Sequence, residues 1–195
     1  MSSFKVVLDA CAIFPASIRD TLFRAADAGL YRIHLTDDIL EELRRNLISQ
    51  RGVPEDKARR LIDTIKKYFP ESLITQHILL IESMPNNEKD RHVLAAAVAC
   101  NAQVIVTQNL KDFPQHLLSP FEVEAQSPDE FLVHLFHLSP ETMLKIIIEQ
   151  AGDLRLPSKT VPELLDTLKQ HVPTFVGLVE NALNPQVSIE TRSKT

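Results

Sequence analysis

Along the first hundred residues the apolar positions switch repeatedly between continuous runs and helical spacing. Phe4 to Leu8 is apolar apart from Lys5, the pattern of a strand buried on both faces of a parallel sheet, and Asp9 follows directly. From 17 to 28 the positions Ile18, Leu22, Ala25 and Ala26 recur at helical spacing, with Gly29 as a C-cap. A short strand is expected at Tyr31 to Leu35, then a helix N-capped by Thr36 and running to Leu47. Pro54 opens an amphipathic helix ending near Phe69. The apolar stretch Leu73 to Ile81 reads as a further strand, and the polar turn Pro85-Asn86-Asn87-Glu88 leads into a long helix, Lys89 to Asn101. Val104 to Thr107 is the next buried strand.

Strand and helix alternating in this order predict an α/β fold, a doubly wound parallel sheet flanked by helices. Ligands of such sheets bind beyond the carboxyl ends of the strands. From Ser127 onward the strand signals stop, and helical patterns follow at 128–137, 140–151, 161–171 and 173–183. The prolines at 128, 140, 157, 162 and 173 punctuate them, mostly at helix starts. The expected division is an α/β domain over 1–125 and an all-helical C-terminal extension over 126–195, with a frayed polar tail after Asn184.

Composition narrows the function classes. With 195 residues and 44% apolar content the chain can bury a core without staples. Cys11 and Cys100 are too few for a disulfide framework and read as buried thiols. No apolar run approaches the ~18 residues of a membrane span, so a soluble, cytoplasmic protein is expected. A formal charge of −5 argues against a protein that coats nucleic acid electrostatically. The one basic stretch, Arg44, Arg45, Arg51, Lys57, Arg59, Arg60, Lys66 and Lys67, reads as a solvated helix face. Four glycines leave no phosphate-cradling loop. His134 and His137, one turn apart, lack the further ligands zinc needs.

Acids and amides reach the expected carboxyl edge of the sheet at four places. Asp9 leaves the first strand, either as a turn former or as a group in the crevice. Glu42 lies nearer than Glu41 to the apolar face made by Ile39, Leu40, Leu43 and Leu47. Asp90, three residues after a capping Asn87, suits a helix N-terminus, yet it shares a stripe with Val93, Leu94 and Ala97. A carboxylate facing a core is costly unless paired or bound to metal. Asn109 and Asp112 follow the strand ending at Thr107, where turn chemistry is the plain alternative. Carboxylates converging without cations to pair them all imply a hard cation, magnesium or manganese, and with it phosphodiester chemistry.

Four segments taken in order resemble PIN domains, in particular the VapC-like branch. They are Val6-Val7-Leu8-Asp9, Leu35-Thr36-Asp37-Asp38-Ile39-Leu40-Glu41-Glu42-Leu43, Asp90-Arg91-His92-Val93-Leu94-Ala95-Ala96-Ala97, and Val104-Ile105-Val106-Thr107-Gln108-Asn109-Leu110-Lys111-Asp112-Phe113-Pro114. The resemblance covers residues 4 to 125 and keeps order and spacing. It implies a Mg²⁺- or Mn²⁺-dependent endoribonuclease, the toxin of a type II toxin-antitoxin pair, with Asp9, Glu42 and Asp90 as its acidic triad. The family's fourth acid falls on Asn109, with Asp112 the nearby carboxylate, so the metal ligands are drawn from Asp9, Glu42, Asp90, Asn109 and Asp112. It further implies an RNA substrate, a small antitoxin protein as partner, and a homodimer. Cys11 stands where the family has Asn or Ser. The alternative is a non-catalytic PIN-like module whose helical tail recruits a partner. A phosphatase of another α/β family would need a second Asp where Cys11 stands.

Overall fold

The computed structural model describes residues 4–155 and 158–184. Strand β1 (Lys5–Leu8) sits mid-sheet, and Val6, Val7 and Leu8 are fully buried. Helices α1 (Ala10–Ile13) and α2 (Ala16–Asp27) return the chain to β2 (Arg32–His34), parallel to β1 with Ile33 opposite Val6. Helices α3 (Asp37–Arg51), α4 (Glu55–Tyr68) and α5 (Arg91–Cys100) then carry it to the other side of β1. There β3 (Val104–Val106) pairs in parallel, Ile105 opposite Val7. Helix α6 (Gln115–Leu118) leads to β4 (Glu124–Gln126), which covers the outer edge of β3. Among the described residues the sheet is parallel throughout, in the order β2-β1-β3-β4. The winding reverses between β1 and β3, so the crevice of this sheet opens beyond their carboxyl ends.

Local chemistry fixes several of these ends. The Thr36 hydroxyl accepts from the Ile39 N–H at 3.1 Å, as a capping residue should. Helix α3 continues past Leu47 to Arg51 and stops at Gly52, whose φ of 62° suits a residue without Cβ. Gly29 takes φ 78° just beyond α2. Helix α5 buries Val93 to Ala97 without interruption, and its small side chains let it pack closely on β1 and β3.

The strand expected over Leu73 to Ile81 is not one. Leu73 makes a single bridge to Leu35, and Gln76–Ser83 forms 3₁₀ turns packed on α5. After Leu35 the chain enters the Thr36 cap and leaves the sheet, so a longer strand here has no partner edge. Unbroken apolar runs do not by themselves separate strand from buried helix, and in this one Ile78 and Leu79 face solvent. Strand β4 carries no strand signal in the sequence because its three residues, Glu-Ala-Gln, are polar at both ends.

The C-terminal segment is helical: α7 (Pro128–Leu138), α8 (Pro140–Asp153), α9 (Val161–Lys169) and α10 (Pro173–Leu183). Capping boxes, Ser127 with Glu130 and Thr160 with Glu163, start α7 and α9. The Asp129 carboxylate accepts from the N–H groups of Thr174 and Phe175 at 3.1 and 2.8 Å, tying α10 to α7. Buried Gln150 on α8 accepts from the Thr21 hydroxyl of α2 at 2.8 Å. Phe131 of α7 packs edge-on against Tyr31 at 5.1 Å between centroids, so one apolar core runs from the sheet into these helices. Each fully buried Phe or Val, such as Phe175 and Val176, contributes roughly 1.5–3 kcal/mol of burial free energy. Pro157 and the tail after Asn184 lie outside the described residues. Among those described, no single helix is long and apolar enough to cross a membrane.

Candidate active site

Asp9 follows β1 at the point where the winding reverses, and its N–H donates to the Val106 carbonyl of β3 at 3.0 Å. The side chain is only 3% exposed, and Oδ2 accepts from the Thr107 hydroxyl at 2.7 Å and the Cys11 thiol at 3.0 Å. Thr107 has one hydroxyl hydrogen, and with it directed to Asp9 the oxygen accepts from the Asn109 N–H at 3.0 Å. One hydroxyl thus couples the first acid to the loop after β3. Burial first, then the charge and hydrogen bond of Asp9, push the Cys11 thiol up to about 12, which keeps it a protonated donor. Cys11 therefore fills the place of a polar side chain as a donor to Asp9.

Glu42 projects from α3, half-buried, while Glu41 is exposed, as the face geometry predicts. Burial and the charges of Asp9 and Asp90 raise its pKa, against His92, whose Nε2 lies 3.7 Å from Glu42 Oε2. Asn87 caps a 3₁₀ turn, Glu88–Asp90, through the Lys89 N–H at 3.2 Å, and α5 begins only after it. Asp90 then occupies the N-cap of α5 yet makes no capping bond. Its Oδ2 is buried and has no hydrogen-bond partner. Burial raises the Asp90 pKa, opposed by Lys89 and reinforced by Asp112 and Asp9. The Lys89 ammonium lies 3.6 Å from Asp90 Oδ2 and 3.3 Å from Asp112 Oδ2, a cation shared by two acids.

Glu42, Lys89, Asp90, His92 and Asn109 line a cleft of about 670 Å³, and Asp9 is not on its lining. Asp112 stands beside it, held by Lys89. The charges of Asp9 and Asp90 are felt at Glu42 and those of Asp112 and Asp9 at Asp90, with Asn109 on the cleft wall. Among the described residues no three His, Cys, Asp or Glu side chains stand close enough to share one metal ion as they lie. Carboxylates repel when nothing cationic holds them, and Lys89 takes up part of the field. The donor set is all oxygen and includes a buried carboxylate oxygen that makes no hydrogen bond, though Lys89 lies 3.6 Å away; such a set fits a hard divalent cation.

Thr107, Lys89 and His92 join the site through contacts that the sequence pattern does not single out. Thr107 depends on β1 and β3 being neighbours, which no local pattern announces. Lys89 and His92 flank Asp90, and that proximity was the available signal.

A family model described as the PIN domain matches residues 5–111. The chain belongs to the PIN-domain family, in its VapC-like branch. A second model, described as the VapC50 C-terminal domain, matches residues 128–181, the helical segment. The chain is similar to a Mycobacterium tuberculosis protein named "Putative ribonuclease VapC50", 45% identical over 98 residues, which are 50% of this chain and 58% of that protein. The match thus spans little more than half of that relative's length. No solved structure matches.

Proposed function

We propose that the chain is a divalent-metal-dependent endoribonuclease that hydrolyses RNA phosphodiester bonds in the cytoplasm. The observation that carries this reading is the buried Asp90 Oδ2 without a hydrogen-bond partner, facing a cleft it shares with Glu42 and Asn109. Asp9 and Asp90 would hold magnesium or manganese, with Glu42 and either Asn109 or Asp112 completing the set. When bound, such a cation acidifies water and offsets charge on the phosphate. Thr107 and Cys11 fix the orientation of Asp9 through their two donated hydrogen bonds. Asp90 is only 8% exposed, and Lys89 lines the same cleft and would offer it a positive charge.

Single-stranded or looped RNA suits an open cleft better than a duplex. The name of the Mycobacterium tuberculosis relative and the VapC-like membership support the further reading as the toxin of a type II pair, restrained by a small antitoxin protein, and the proposed assembly is a homodimer. Residues 1–125 would carry the chemistry and 126–195 the helical extension. Lys89 bridging Asp90 and Asp112 favours a second reading, a non-catalytic PIN-like interaction module whose charges are internally balanced. Cleavage of a mixed RNA pool in Mg²⁺ or Mn²⁺, abolished by EDTA, separates the two. Full activity in EDTA would sink the metal requirement, and no cleavage in any divalent ion would favour the module.

A further inference from the structure

A second cleft, about 710 Å³, lies where the carboxyl half of α3 and the start of α2 meet α8 and α9. Its apolar floor includes Leu47 and Leu164, and four cations line it: Arg19, Arg51, Lys57 and Lys159. Among the described residues none of the four has a carboxylate within ion-pair distance, in contrast to Arg44, Arg59, Arg60 and Lys66 of the same basic stretch, which are each matched to an acid. Arg19 gives Nη1 to the backbone carbonyls of Ile13 and Phe14, and Arg51 stacks its guanidinium 5.4 Å from the centroid of the Phe14 ring. Asp20 is the one acid on the lining, and it pairs with Arg24 at 3.1 Å. In a chain of net charge −5, unmatched cations gathered along one groove attract a polyanion.

The groove and the acid cleft share two elements. Phe14 ends the short helix that begins after Asp9, and α3 carries both Glu42 and, nine residues on, Arg51. Nine helical residues rise roughly 14 Å and turn about 180° at about 100° per residue, so Glu42 and Arg51 lie on opposite sides of α3 and a single strand reaching both crosses over that helix. We propose that this groove binds the single-stranded RNA flanking the scissile bond, its cations taking phosphates and the Phe14–Arg51 stack and His171 offering faces to bases. Charged grooves with stacking side chains hold single strands without reading sequence. Lys159, Thr167 and His171 come from the helical extension, so the extension completes a substrate-binding surface. This rests on the ribonuclease reading.

The test is binding of a fluorescein-labelled single-stranded RNA dodecamer in EDTA, titrated against salt, for the wild type and an Arg51→Gln/Lys57→Gln/Lys159→Gln variant whose fold is checked by circular dichroism. Three lost phosphate contacts should flatten the plot of log affinity against log salt by about 2, at about 0.7 per contact, and weaken low-salt binding by at least about tenfold. Ultraviolet crosslinking of the wild type, which needs no variant, should place adducts on Phe14 or His171. Equal affinity and slope in variant and wild type, or adducts confined to the acid cleft, overturn the proposal. So does a groove that loses labelled polyglutamate but not RNA in the variant, which would make it a site for an acidic protein segment. Groove-dependent binding by a wild type that never cleaves would remove the ribonuclease reading and leave the groove; cleavage with unaltered binding would do the reverse.

Discussion

Asp90 is where metal binding and stability pull in opposite directions. Its carboxylate makes no capping bond, so Asp90→Asn removes a buried charge without removing a cap. In EDTA the variant should melt at or above the wild-type temperature, while the rise induced by Mg²⁺ should vanish and RNA cleavage fall by orders of magnitude. A variant with wild-type cleavage and the wild-type metal-induced rise would rule out the assignment. The pH dependence has a defined sign. Burial raises the folded pKa of Asp90, so the folded state binds that proton more tightly than the unfolded chain. The resulting penalty is present at neutral pH and is removed as pH falls through the raised value to below the ordinary carboxylate pKa of about 4. The melting difference between Asp90→Asn and wild type in EDTA should therefore shrink on acidification, and a constant difference would contradict it. Thr107 gives a third test at this scale. Thr107→Val keeps the shape but leaves the Asp9 carboxylate short of a donor, costing roughly 1.5–3 kcal/mol in denaturant melts as for hydrogen bonds to charged groups, and Thr107→Ser should restore most of it. In the loop beyond, Asp112→Asn should cost more cleavage than Asn109→Ala, because Asp112 carries charge felt at Asp90. The reverse order would give the fourth role to Asn109.

Among the elements, what could be read from the chain was what its own neighbours decide. The Thr36 cap and the apolar face of α3 are local and appear as read, and the strand expected over Val104 to Thr107 forms one residue shorter, ending at Val106. Leu73 to Ile81 misled because its fate depends on whether an edge is available to pair with, and that edge ends at Leu35. The site was legible in part for the same reason: three acids follow strands or ride helix faces, whereas the Thr107 and Lys89 contacts require knowing which elements adjoin. The caps are the testable part of the local information. Ser127→Ala breaks the box that starts α7 and should lower stability by about 1 kcal/mol in a urea melt. A loss below a few tenths would mean that tertiary packing, not the cap, holds that end.

At the scale of the whole molecule, the two family matches, 5–111 and 128–181, fall on a chain with one continuous core. Tyr31 donates to the Leu22 carbonyl at 2.9 Å and is covered by Phe131 from the C-terminal segment. A fragment ending at 127 would bare this ring and should bind ANS and lose a sharp thermal transition; a cooperative melt at the full-length temperature would show that the first segment stands alone. Strand β4, residues 124 to 126, lies in the gap between the two matches. Gln126 receives the Thr107 N–H at 2.9 Å and meets His134 of α7 at 3.0 Å, so it joins the strand that orients Asp9 to the helices beyond. A gene fusion that borrowed only residues 5–111 would carry every proposed ligand but Asp112 and still leave β3 with bare amides along one side. Such an edge recruits the edge of another copy, so the transplanted segment would be expected to self-associate before it could cut anything.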